Sequence, residues 1–468
     1  MNRDPRNPSD ATAADLRLLW LAIVLLGAVF FFVGHDVQVS RFEGFAPWSD
    51  SDGSMQSGGN AAKGLTLSLI GIFGLYLILR RDGRPLRWTG WLPAAIVFYV
   101  AWSAASILWS SDPGLSCRKL AVLMFCVFGA LGFARQFRPR DIVLIAVVVP
   151  AAFLAVGIAA ELALGTFRPW SEGYRFSGTV HPNTQGAHLT VLCLASFCLA
   201  RFSCRGETRL QPLFWTLFAI GLVFLLLTKS RTSCAALTVS LAALWLIGVS
   251  GRTRLLAISA AGFLVCSAAL FVSLFGLDID ETVSQVVMLG RQEESAKLTG
   301  RIPVWKELLG YVGARPLQGY GYESFWTEKH IEEVSDETQW PLREAHNAYL
   351  DSALSVGVIG TAALMLIVSL GIYLAASTFR ATAAAGAALT FCLLIFAVFN
   401  AFLETGLVSP NFVTLIAGSG IAQLLVGESA ITSRSHAPRG NGRLATLCVG
   451  VRHAHRRKAT NDRGFMKR

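Results

Sequence analysis

The chain has 468 residues, 53% of them Ala, Val, Ile, Leu, Met, Phe, Trp, Tyr or Cys and only 15% charged, with a net charge of +11 and a mean hydropathy of +0.51. A soluble domain carries about 25% charged residues. This composition therefore excludes a soluble enzyme, a disordered chain and a fibrous protein, and it defines an all-α polytopic integral membrane protein.

A helix needs about 20 apolar residues to cross the hydrocarbon of a bilayer, and reading for such runs predicts about twelve spans. In chain order they fall near 17–34, 64–80, 91–109, 119–134, 141–165, 186–203, 212–228, 233–250, 255–276, 355–377, 383–403 and 410–427. The first run is too long for the apolar region of a signal peptide and lacks a small-x-small cleavage site after it, so it is expected to be a retained helix. With the N-terminus in the cytoplasm, Arg80, Arg81, Arg84, Arg87, Arg135, Arg138, Arg140, Arg201, Arg205, Arg209, Arg252, Arg254 and Arg380 all fall inside. Such a bias is what orients membrane proteins, and it puts both termini in the cytoplasm.

The expected organisation is a cytoplasmic N-terminal segment (1–16), a bundle of about nine helices (17–276), a large external loop (277–345), about three further helices (346–427) and a basic cytoplasmic tail (428–468). The tail reads as a solvated anchor against anionic lipid, so the positive charge requires no nucleic-acid partner. The large loop is long and mixed enough to fold as a cap, and its Trp305, Tyr311, Tyr320, Tyr322, Phe325, Trp326 and Trp340 suit interface packing or sugar stacking. Nine cysteines without a CxxC pair give neither a structural zinc nor a redox pair; Cys117 and Cys234, at run ends, are the two that could be bridged.

The informative residues break the charge rule. The external turn TKSRTS, Thr228 to Ser233, packs Lys229 and Arg231 into a few residues. Snorkelling at a helix end is the plain reading of either one, and a guanidinium aimed at an external anion is the functional one. A second cluster, GYRFSGTVHPNTQGAHL, carries Arg175, His181, Asn183 and His188 on a turn shaped by Gly and Pro. A third lies in the large loop, with Arg301 in GRIPVW, then PLQGYG from Pro316, and His346 and Asn347 where the chain re-enters the membrane.

Together these clusters resemble the O-antigen ligase/polymerase family (Wzy/WaaL-type, including exopolysaccharide polymerases). The matching pieces are HPN at His181 to Asn183, SRT at Ser230 to Thr232, GR-x3-W at Gly300 to Trp305, PL-x-GYG at Pro316 to Gly321 and HNAYL at His346 to Leu350, followed by Gly357 and Gly360. The resemblance covers roughly residues 90–425. It implies a glycosyltransferase of the bacterial inner membrane with its active face in the periplasm. The donor would be a polyprenyl-diphosphate-linked glycan and the acceptor another lipid-linked repeat or lipid A-core. A chain-length regulator would be a further partner, and neither metal nor other cofactor would be needed. Residue by residue, the family's arginine after the short hairpin matches Arg231, that of the preceding external loop matches Arg175, and the histidine closing the large loop matches His346. The family's commoner NPN turn has His181 in its first place here.

The chemistry fits those residue types. Negative charge grows on the leaving diphosphate, and Arg offers a permanently protonated fork of donors to phosphate. Arg231 and Arg175 are assigned to the diphosphate, with Arg301 as a third. The acceptor hydroxyl must lose a proton as it attacks the anomeric carbon, and an imidazole with a pKa near 6.5 suits that task. His346 is the expected base, with Asn183 and Asn347 as substrate-binding or orienting groups, in a single inverting displacement.

Two rivals stand beside this reading. A metal-dependent glycosyltransferase would draw on Asp50-Ser51-Asp52 or Asp278-Ile279-Asp280. A transporter or flippase would carry ionisable groups at the middle of its spans, which here hold almost none; Glu161 and Asp351 lie toward the outer ends.

Overall fold

The computed structural model describes residues 8–34, 61–171, 173–202, 209–251, 253, 295–338 and 344–426. All lie in the compact unit Met1–Gly427. The expected ninth span, both Asp-x-Asp triplets, Trp340 and the basic tail lie outside the described residues.

The described residues form helices α1 (Pro8–Gly34), α2 (Ala61–Leu79), α3 (Trp91–Ala105, continued by a 3₁₀ turn Ser106–Trp109), α4 (Pro113–Gln136), α5 (Pro139–Ala163), α6 (Pro182–Phe202), α7 (Gln211–Leu227) and α8 (Arg231–Gly248). Beyond the undescribed stretch come α9 (Ser295–Ala314), α10 (Glu328–Thr338), α11 (Ala348–Thr382), α12 (Ala385–Asn400) and α13 (Phe412–Gln423). Among the described residues no strand occurs; an isolated bridge pairs Leu86 with Val426. Seven of these helices are long and apolar enough to cross a membrane, and four shorter apolar helices coincide with other expected spans. Their outer surfaces carry exposed Leu65, Ile72, Val97, Val223 and Leu366. In water such a surface would be costly; against lipid it needs no partner.

The helix boundaries follow from capping more than from apolarity. The apolar run predicts a fourth span from 119, yet α4 begins at Pro113 because Asp112 caps it, its carboxylate accepting the Leu115 N–H at 2.9 Å. Similarly α11 begins at Ala348 rather than near 355, because the Asn347 side chain accepts the N–H groups of Tyr349 (3.0 Å) and Leu350 (3.2 Å). The six described cysteines, Cys117 and Cys234 among them, are free thiols.

α6 is the central helix. It packs against α5, α7, α8 and α12, and Leu189, Val191, Leu192, Leu194 and Leu199 are fully or nearly fully buried. Two ends of the bundle can be told apart by their loop contacts. At one end Arg84 binds the carbonyls of Ala134 and Phe137 and the side chain of Gln423, and Arg87 N–H meets the Leu425 carbonyl. The other end gathers the turn before α4, the hairpin between α7 and α8, the start of α6, the large loop and the segment between α12 and α13. The segments expected outside thus share one end, apart from the Arg-rich turns.

The described part of the large loop, 295–338 and 344–345, folds as a helical cap. Val304, Leu308, Tyr320, Phe325, Val334 and Ala345 form its core and seat it on Leu354 of α11. Most of its described aromatic residues pack inward: Trp305 donates to the Ala345 carbonyl, and Tyr320 donates to the Tyr311 carbonyl.

The cap is locked to α11 by a break in that helix. Gly357 has φ 69° and ψ −177°, a conformation open only to glycine. Backbone groups released there find partners outside the helix: Tyr320 N–H meets the Leu354 carbonyl (2.8 Å), Gly321 N–H that of Ser355 (3.0 Å), and Val358 N–H that of Pro316 (2.8 Å). Trp102 Nε1 donates to the Val356 carbonyl at 2.9 Å. The PL-x-GYG segment and Gly357 are therefore two halves of one joint.

Candidate active site

Four of the residues singled out in the sequence meet through one short segment, Leu403–Thr405, between α12 and α13. On one side Arg175 donates through Nε to the Thr228 carbonyl and through Nη2 to Asn183 Oδ1, both at 3.0 Å. Asn183 passes the contact on, its Nδ2 donating to Glu404 Oε1 at 3.0 Å. On the other side Arg301 donates to the Leu403 carbonyl at 2.9 Å. His346 Nδ1 lies 3.0 Å from Glu344 Oε1, and the Thr405 hydroxyl donates to Glu344 Oε2 at 2.8 Å.

Arg231 is the first residue of α8, three positions beyond the Thr228 carbonyl that Arg175 grips, and is half-buried. The N-termini of α6 and α8 nearly touch there: a Cβ on Gly186 would stand 2.9 Å from that of Ser230. Two helix N-termini, each the partially positive end of its helix, thus converge beside two arginines. Asn347 serves as the cap of α11, and so fixes the turn that presents His346. Strain sits at both ends of the site, with Lys229 at φ 52° and His346 at φ 46°.

Two site residues escaped the sequence reading. Glu344 sits two residues before His346, and Glu404 is the only charged residue between Arg380 and Glu428. That isolation in an apolar run was the available signal.

The electrostatics follow from the neighbours. Burial opposes the charged imidazole of His346, but the adjacent Glu344 carboxylate outweighs it and raises the histidine above its ordinary value; Arg301 lowers it and Glu404 raises it. Burial would raise Glu344, yet contact with His346, then Thr405 and Arg301, holds its carboxyl below the usual range. Glu404 is pushed up by burial, against the pull of His346 and Arg301. A carboxylate 3.0 Å from Nδ1 favours the tautomer with the proton on that nitrogen, which leaves Nε2 as the basic one.

His181 and Glu161 shape the loop that carries Arg175. His181 stands before α6, its carbonyl accepting Gln185 N–H (2.9 Å) and its Nδ1 accepting Asn183 N–H (3.2 Å). A ring nitrogen thus performs the capping usually done by an asparagine side chain. His181→Ala is expected to cost about 1 kcal/mol, with His181→Asn near native, in melting measurements on detergent-solubilised protein. Glu161, 5% exposed at the end of α5, accepts the Tyr174 hydroxyl (2.6 Å) and the N–H groups of Ser177 (3.0 Å) and Gly178 (2.8 Å). Glu161→Ala strands two half-buried backbone donors and is expected to destabilise the loop by roughly 1–3 kcal/mol, read as faster proteolysis between α5 and α6.

Residues 216–365 match the family model described as O-antigen ligase. That stretch contains Arg231, Arg301 and His346 and leaves Arg175, Asn183 and Glu404 outside it. With its helical bundle and this match, the chain is a multi-pass membrane protein, and the findings support the O-antigen ligase/polymerase family. It is also similar to the exopolysaccharide production protein ExoQ of Rhizobium meliloti (strain 1021), with 24% identity over 319 residues, covering 64% of this chain and 69% of that relative.

Proposed function

We propose that the protein is an inner-membrane glycosyltransferase with about twelve spans and both termini in the cytoplasm. It joins polyprenyl-diphosphate-linked oligosaccharide repeats at the periplasmic face without a metal, by a single inverting displacement. The observation that carries this reading is the joining of Arg175, Arg301, Asn183 and His346 through Leu403–Thr405, with Arg231 beside them. Arg231 and Arg175, aided by the N-termini of α6 and α8, hold the diphosphate as charge builds on the leaving oxygen. His346 Nε2 takes the acceptor hydroxyl's proton, and Glu344 stabilises the imidazolium that results. Arg301 holds the cap's first helix to the Leu403 carbonyl, next to the base.

The likeness to ExoQ favours polymerisation of exopolysaccharide or O-antigen repeats. The O-antigen ligase match favours a second reading, transfer of the finished glycan to lipid A-core. Deleting the protein and resolving the cell's glycans on a gel separates them. Loss of the ladder down to single repeats supports polymerisation. A ladder kept on the polyprenyl carrier and absent from lipid A-core supports ligation, and an unchanged glycan profile refutes both. Chelator is expected to leave transfer intact.

A further inference from the structure

Glu344 and Thr405, which meet at the site, also line a cavity of about 240 Å3. Its walls come from the middle of α3, the first turns of α4 and α11, the loop after Tyr320, α10 and the segment that follows α12. Four rings, Tyr99, Tyr322, Phe325 and Trp326, line it together with Asp351, Ser352 and Ser355.

This lining selects among ligand classes. A lipid chain has no use for Asp351 and neighbouring hydroxyls, whose desolvation it could not repay. A phosphate needs cations, but the cavity's one cation, Lys119, is held by Glu323 at 2.9 Å. Rings beside a carboxylate and serines suit a sugar, whose C–H face lies on a ring while its hydroxyls donate to the acid. The wall is also built in advance: Asp351 accepts Trp326 Nε1 at 2.9 Å and the Ala345 N–H at 3.1 Å, fixing the indole. Ala345 is the residue between Glu344 and His346, so the same carboxylate that fixes the ring anchors the turn carrying the base.

Charge narrows the class further. With Lys119 paired to Glu323, the lining offers no unpaired cation to an incoming acid. An acidic sugar would find no counter-charge beside the carboxyl groups of the wall, whereas a neutral or amino sugar needs no cation. Resting on the transferase reading above, we propose that this cavity is the subsite for the acceptor sugar, that it takes a neutral or amino sugar residue and that it disfavours a uronic acid. Asp351 is its positioning residue.

The test reads binding without donor or turnover. The full chain in lipid nanodiscs is titrated with a glucose trisaccharide, a glucosamine trisaccharide and a galacturonate trisaccharide while tryptophan fluorescence is followed. The first two are expected to give a saturable change that disappears in Trp326→Phe, and the third none in the same range. In Glu323→Gln, which releases Lys119, galacturonate binding is expected to tighten about tenfold while glucose binding stays within about threefold. Equal binding of all three sugars by the native chain, a response unchanged in Trp326→Phe, or no sugar binding would overturn the proposal. If Trp326→Phe does not accumulate, the Glu323→Gln arm decides alone. Binding confined to this cavity in a chain whose transfer survives His346→Ala would instead overturn the catalytic reading and leave the subsite standing.

Discussion

His346→Ala is expected to lower glycan transfer by about 10²–10⁴-fold in membranes that contain normal amounts of the protein, the range a general base contributes. His346 is held for this role by a cap on one side, Asn347, and a carboxylate on the other, Glu344. Glu344 also sets the pH response. The base works as neutral imidazole, and its pKa lies above the ordinary value of about 6.5. Transfer should therefore rise with pH and reach half its plateau above that value. Glu344→Gln removes the charge that favours the imidazolium, so the midpoint should move to lower pH while the plateau falls. Arg301 and Glu404 act in opposite senses on the same ring, so Glu404→Gln should also move the midpoint down. Rate against pH for the three proteins checks this, and a profile unchanged by Glu344→Gln would separate that carboxylate from the base.

The second large effect is structural. Gly357→Ala should destabilise the chain by roughly 3 kcal/mol or more, because a Cβ there combines a backbone conformation closed to alanine with a steric clash. The added carbon would stand 2.2 Å from the Leu317 carbonyl oxygen, in a joint where backbone meets backbone and no side chain can give way. The expected result is little folded protein in the membrane, read by thermal melting or by protease resistance of the cap. Gly310→Ala, on α9 of the same cap with nothing near its Cβ, should be tolerated. Equal accumulation of the two variants would mean that the cap does not depend on the joint.

Spans such as α5 and α6 are legible in the sequence because bilayer thickness demands long apolar runs. Their starts are less so, since Asp112 and Asn347 extend helices into polar sequence by capping, which an apolar window reads as loop. Arg175 and Arg301 are legible as arginines in segments expected to lie outside, against the charge bias of the short loops, and His346 by its HNAYL motif; these motifs carry the resemblance. Glu404 was missed because a lone acid in an apolar run signals function without naming a partner; only the fold brings it to Asn183. The pairing of PL-x-GYG with Gly357 is invisible for a related reason. Its hydrogen bonds run between backbones, so side chains record only the glycines that permit the approach. Among the aromatic residues of the large loop, Tyr320 and Phe325 fill the core of the cap and Trp305, Tyr311 and Trp326 pack against it, a division that composition does not show.

The central claim is that the basic hairpin with Lys229 and Arg231 faces the compartment where lipid-linked glycan is presented. It is tested most directly by Lys229→Cys in an active chain whose native cysteines are replaced by alanine, probed with a membrane-impermeant maleimide. Labelling in cells with a permeabilised outer membrane and an intact inner one is the predicted result. Labelling that requires disruption of the inner membrane would put the hairpin in the cytosol and contradict the account.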